Sequence, residues 1–228
     1  MSKTITLYHG SDQILPQPTF SKGKVTNDYG QGFYCTAHYD LACEWAAKND
    51  RSHSYTNEYE LDLSGLKILD LSSPDYNILH WITLLLQNRT FPITSPLGLQ
   101  AKQYLTEHFS LDVSAYDVIR GYRADDSYFS FAKDFVNNAI SVQHLARAMK
   151  LGKLGIQYML RTEQAFAHLR YVGTQEVDTA VYHAKYLHRD LKARTQYLDS
   201  RSQLAVHPDQ LYILDIIRGG IKNGDPRL

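Results

Sequence analysis

Leu7-Tyr8-His9-Gly10-Ser11 and Tyr29-Gly30-Gln31-Gly32-Phe33-Tyr34-Cys35-Thr36 are the two stretches on which the reading of this chain turns. In the first, residues 4–8 alternate β-branched and apolar side chains and run into His9-Gly10, the pattern of a strand meeting a turn. In the second, two glycines allow close backbone approach, and residues 33–36 after them read as a short strand bearing aromatic rings. Neither stretch is specific alone, since a histidine at a strand end is usually just a satisfied hydrogen-bonding residue.

Outward from these stretches the chain alternates between short strands and helices. Asp40 stands where an N-cap would for a helix over residues 41–48. Residues 58–63 alternate like a strand, and residues 67–71 read as another across the Ser64-Gly65 turn. Residues 76–88 place Ile78, Trp81, Ile82, Leu85 and Leu86 at helical spacing, and residues 99–109 form a weaker amphipathic stretch. Residues 116–121 read as a strand, and residues 125–137 and 141–149 as helices, the second with Ser141 at its N-cap. Residues 156–161 read as a strand, with a short helix over 163–169. From 178 to 200 the chain is charged and heptad-like, an exposed or partner-contacting helix or pair of helices. Residues 209–220 read as an apolar helix with a glycine stop. The mixture predicts an α+β domain over residues 1–172 and a helical C-terminal extension over residues 173–228.

Composition narrows the class. A chain of 228 residues can bury a real core, and 43% apolar with 21% charged residues is ordinary for a globular protein. Lys plus Arg and Asp plus Glu both number 24, so no net field draws the chain to phosphate or to an anionic bilayer. The two cysteines, Cys35 and Cys43, lack zinc-type spacing, which predicts free thiols in a reducing compartment and no metal site. The start, MSKTITLYHG, has no basic segment followed by an apolar one, and the longest apolar run, 78–86, is too short to span a bilayer. The expectation is a cytoplasmic protein without a membrane partner.

Taken in order, the motifs resemble the ADP-ribosyltransferase superfamily, in the His-Tyr-Glu branch that includes the poly(ADP-ribose) polymerases. The closer likeness is to a bacterial family of uncharacterised domains, DUF3990. It rests on YHGS at 8–11, DYGQGFYCT at 28–36, ACEWA at 42–46, YDVIRGYRADD at 116–126 and QYMLRTE at 157–163. The likeness spans roughly residues 5–171. It implies a split, mostly antiparallel mixed sheet with helices outside, and NAD as co-substrate. It also implies transfer of ADP-ribose to a macromolecular acceptor, protein or nucleic acid. Among bacterial relatives this is the role of the toxin in toxin–antitoxin or phage-defence systems, with an antitoxin as partner. Two alternatives stay open: a module that binds NAD or ADP-ribose without transfer, and an NAD glycohydrolase.

The same likeness implies a nucleotide site of His9, Gly10, Ser11, Tyr34, Trp45 and Gln157. His9 would hydrogen-bond the ribose, and the Gly10 backbone would grip the carboxamide. Tyr34 and Trp45 would close on the two faces of the nicotinamide. Gln157 stands where the branch carries a glutamate. It can orient a hydroxyl, but it lacks the charge that steadies an oxocarbenium ion and cannot take a proton from a nucleophile. The side chain of Gln157 is expected on one face with Met159, within reach of His9 and Tyr34, and Tyr158 and Leu160 on the other. The missing charge makes Gln157→Glu an activating change by expectation. Asp126 or Asp125 is the candidate acceptor-side base, while Glu163 reads as a helix N-terminal carboxylate. Arg120, Arg123, Lys150 and Lys153 are candidates for the pyrophosphate or a nucleic-acid acceptor. His183 and His188, five apart, do not share a metal-binding face.

Overall fold

The computed structural model describes residues 3–48, 52–90, 92–124, 126–151, 155–202 and 210–228, with the backbone alone at 126–128 and 202. In chain order the elements are β1 (Thr4–Ser11), β2 (Phe33–Thr36), α1 (Tyr39–Ala46), β3 (Tyr55–Asp62), β4 (Ile68–Asp70), α2 (Ile78–Asn88), α3 (Pro96–Phe109) and β5 (Val118–Tyr122). There follow α4 (Asp126–Val136), α5 (Val142–Ala148), β6 (Ile156–Leu160), α6 (Glu163–Ala167), β7 (Leu169–Glu176), α7 (Thr179–Ser202) and α8 (Ile213–Arg218).

The strands form one sheet of seven in the order β4-β5-β6-β2-β1-β3-β7. Only β4 and β5 run parallel; the other neighbours are antiparallel. The fold is therefore α+β with a mixed sheet, as the sequence predicts. Its centre is thin. β1 pairs with β3 along its whole length, from Thr4↔Asp62 to Ser11↔Tyr55, but with β2 only at Tyr8↔Thr36. The two halves of the sheet meet at that one position.

Three local expectations are corrected. Residues 68–70 do not neighbour β3 across the Ser64-Gly65 turn, because β7 holds the far edge of β3, for example at Tyr59↔Tyr171. They cross instead to the opposite edge, where the Lys67 and Leu71 amides donate to the Asp117 carboxylate and the Arg120 carbonyl. The helix α1 is capped by His38, with Asp40 inside its first turn, where its carboxylate accepts from Tyr182 Oη at 3.0 Å. Strand β7 went unread because Gly173 interrupts a half-exposed edge pattern. Ser141 does cap α5, accepting from the His144 amide at 3.2 Å.

Each face of the sheet carries a core. The larger packs Trp81, Phe131, Phe135 and Met159 under α2 to α5, and the smaller gathers Leu7, Cys35, Leu61, Val118 and Leu160 beneath α6. Both cysteines are buried free thiols. The charged stretch after β7 is one long helix, α7, tied to α1 by the pair of Arg189 with buried Glu44. His183 Nδ1 donates to the Ala47 carbonyl at 3.2 Å, while Leu187, Leu191 and Leu198 stay exposed.

Gly10 explains how closely α1 lies on β1. A Cβ there would stand 2.0 Å from the Ala42 carbonyl oxygen and 2.6 Å from the Ala46 amide nitrogen, both fixed backbone atoms. Gly10→Ala must push the helix off the strand. The expected cost is about 3 kcal/mol, an upper-range overpacking penalty, or roughly 6 °C or more in Tm. A folded variant melting with the natural chain would show that α1 yields easily.

Candidate functional site

The three motif strands become neighbours. β2 lies between β1 and β6, with Tyr34↔Met159 and Thr36↔Gln157 in register. Alternation then sorts the side chains by face. Tyr34 and Met159 pack with the larger core, and Phe33, Cys35, Tyr158 and Leu160 with the smaller. Gln157, two residues from Met159, faces the larger core and is 3% exposed.

There it meets a carboxylate the sequence reading did not single out. Asp28 is buried, and its Oδ2 accepts from Gln157 Nε2 at 2.9 Å and from the Ala124 amide at 2.9 Å. Its Oδ1 lies 3.1 Å from Arg89 Nε in an ion pair. Burial pushes the Asp28 pKa above the ordinary carboxylate value, opposed by the Ala124 amide, Arg89, the Gln157 amide and Arg123. The Tyr122 carbonyl collects three donors: Trp81 Nε1 at 2.9 Å, Gln157 Nε2 at 3.3 Å and the Tyr29 hydroxyl.

Tyr34 is held by the same turn. Its hydroxyl donates to the Gly30 carbonyl at 2.7 Å and accepts from the Tyr29 amide at 3.0 Å. Gly30 adopts φ +86°, where a side chain is strained, and a Cβ would also press on Asn88 Oδ1 at 2.8 Å. Burial pushes both phenols, Tyr29 and Tyr34, above their ordinary value, so both stay neutral at physiological pH.

The remaining candidates scatter around this group. His9 lies on the smaller-core face against Phe33, with ring centroids 4.4 Å apart, and its Nδ1 donates to the Tyr34 carbonyl at 2.7 Å. Its ring thus links β1 to β2 just past their single pair, on the opposite face from Gln157, so the expectation that Gln157 lies within reach of His9 is corrected: strand alternation sends the two side chains to different faces. Gly10 faces α1, and Ser11 Oγ is occupied in a turn, accepting from the Gln13 amide at 3.1 Å. The Trp45 ring is covered by the Arg123 guanidinium at 4.2 Å, and its buried Nε1 has no acceptor among the described residues. Arg123 also lends its charge to Asp28, which connects Trp45 to the Gln157 cluster. Arg120 is engaged by Asp70, Ser72 and Tyr158, and Lys150 is exposed. Asp125 and Lys153 lie outside the described residues, and Asp126 opens α4 with its side chain undescribed.

A cleft of about 760 Å³ opens elsewhere, between the Phe20-Ser21 loop, Gln31-Gly32, Asn88 and the start of α6. None of the candidate nucleotide-site residues lines it, although Gln31, Gly32, Arg161, Thr162 and Glu163 of the motif blocks do. The Asp28 cluster is thus a polar group that orders donors and acceptors, the Arg89 guanidinium among them, around one carboxylate. Asp28, Arg89, Tyr29, Trp81 and Tyr122 are its additional members. The aspartate was visible as the first letter of DYGQGFYCT, but its meeting with Gln157, 129 residues away, was not.

This geometry adds a stability expectation for Gln157→Glu. A second carboxyl would stand about 3 Å from Asp28 in a buried site. Unfolded, both groups titrate normally; folded, one is raised despite Arg89 and Arg123 nearby, with Tyr29 and Tyr34 neutral. The variant therefore matches the natural chain in acid and loses stability as pH rises through the raised value. The expected loss is about 3 kcal/mol at pH 8 and little at about pH 4, read from urea midpoints. An equal penalty at both pH values would contradict the contact.

Among the described residues no group of three or more histidine, cysteine or acidic side chains is arranged to hold a metal ion, and no helix is long and apolar enough to cross a membrane. No curated protein and no solved structure matches the chain. The family model described as a protein of unknown function, DUF3990, matches residues 5–171, which include all but the first residue of β1, with β2, β6 and the Asp28 turn. The chain belongs to the DUF3990 family.

Proposed function

We propose that this chain is an NAD-dependent ADP-ribosyltransferase acting on a macromolecular acceptor, protein or nucleic acid. The observation that carries the reading is the adjacency of the motif strands: β1 with His9-Gly10, β2 with Tyr34 and β6 with Gln157 stand side by side. A site assembled at such a junction suits a nucleotide bent around a scissile glycosidic bond. Tyr34 and Trp45 supply aromatic faces, and the buried Trp45 Nε1 awaits an acceptor. Nicotinamide stacking on Trp45 would exchange with the Arg123 guanidinium that covers the ring. Asp125 or Asp126 serves the acceptor in this scheme, and the biological setting is that of a cytoplasmic toxin restrained by an antitoxin or of a phage-defence effector.

A second reading has its own support. Gln157 carries no charge, and Asp28 is already engaged by Arg89, Ala124 and Gln157, so no unengaged carboxylate faces this cluster among the described residues. That favours a non-catalytic NAD or ADP-ribose module, or slow hydrolysis with water as acceptor.

Labelled NAD incubated with the chain and a whole-cell lysate separates these outcomes. Label in material destroyed by protease or by nuclease supports transfer and names the acceptor class. Nicotinamide release without labelled macromolecule favours hydrolysis, and binding without turnover favours the module. No NAD binding would remove all three. In the binding assay, His9→Ala should weaken NAD by about 1–3 kcal/mol, the loss of one polar partner. An unchanged titration in a folded variant would take His9 out of the site.

A further inference from the structure

The orientation of the Gln157 amide is determined by its surroundings. A carboxylate and a peptide carbonyl can only accept, so the group facing Asp28 Oδ2 at 2.9 Å and the Tyr122 oxygen at 3.3 Å must be the amide nitrogen. The opposite rotamer would press the amide oxygen against two acceptors. With both hydrogens directed at acceptors, the amide oxygen is what remains. No donor among the described residues reaches it, in a side chain only 3% exposed.

We propose that Asp28 is a positioning residue: its carboxylate locks the Gln157 amide nitrogen inward, so that the amide oxygen is presented as an acceptor and the position selects a ligand hydroxyl. The inference rests on the NAD reading for the ligand's identity, where the hydroxyl belongs to a ribose, but not for the orientation itself. Without the carboxylate, the amide is free to turn and offer a hydrogen where the ligand also offers one. Asp28 touches neither ligand nor reacting atoms and acts only through Gln157. The same carboxylate also fixes Arg89 and the Ala124 amide, so the orientation is built into the packing of the Asp28 turn against α2 and the chain after β5.

Two measurements on the full chain test this. In the ¹⁵N-labelled protein the Gln157 side-chain amide, assigned through its own backbone, should exchange with water at least a hundredfold more slowly than an exposed glutamine. Asp28→Asn, which nearly keeps the shape, should shift that resonance pair and remove at least tenfold of the protection. Exchange at the exposed rate in the natural chain would overturn the proposal, and so would a pair indifferent to Asp28→Asn. If the variant does not fold, the natural chain's exchange rate decides. In the nicotinamide-release assay, Asp28→Asn should lower kcat about tenfold with KM within about twofold, because the hydroxyl contact strengthens as the glycosidic bond stretches. Equal kcat in a folded variant counts against the proposal. If the natural chain releases no nicotinamide and binds no NAD, the NAD reading is what fails, and amide exchange still judges the orientation.

Discussion

A carboxylate taken out of water must be met by donors or a counter-charge, and the centre of this molecule is arranged around the two donors and the one cation that meet Asp28. Gln157 comes from β6, the Ala124 amide from the chain after β5, and Arg89 from the end of α2. Three segments distant in sequence are thereby fixed against the turn that precedes β2. The same turn holds the Tyr34 hydroxyl through Gly30 and Tyr29, so one buried charge organises both the aromatic face and the amide at position 157. Burial raises the Asp28 pKa, which means that keeping it ionised works against stability at neutral pH.

The single pair Tyr8↔Thr36 is the second constraint. Beyond it the sheet's halves are linked by side chains, His9 to the Tyr34 carbonyl among them. The helix α1 seals β1 closely because Gly10 has no side chain, and α7 in turn braces α1 through Glu44 and Arg189. A glycine quoted for its backbone in the motif thus has a packing reason as well. The long C-terminal helix therefore contacts the helix that covers the motif-bearing strand.

Much of this was legible in the sequence where the signal is local. The alternation at 4–8, the helical spacing of Trp81, Leu85 and Leu86, and Ser141 as a cap each reappear in the structure. The α+β class followed from them. What failed depended on partners distant in sequence. Strand β4 reads the same whether it pairs with β3 or with β5, and only the occupation of the β3 edge by β7 decides it. The site shows the same division. Alternation put Gln157 with Met159 and away from Tyr158 and Leu160, yet it could not show that His9 lies on the other face or that Asp28 stands beside the amide. The turn containing Asp28 has no periodicity from which its direction could be read.

On the proposed reading the nucleotide lies at the junction of β1, β2 and β6 and not in the roomier cleft by α6. A crystal structure of the chain with saturating NAD is the most direct measurement of that claim. The expected result is nicotinamide between Tyr34 and Trp45, Arg123 moved from the indole, and a ribose hydroxyl donating to Gln157 Oε1. NAD in the cleft lined by Phe20, Arg161 and Glu163, or no bound nucleotide at all, would contradict it.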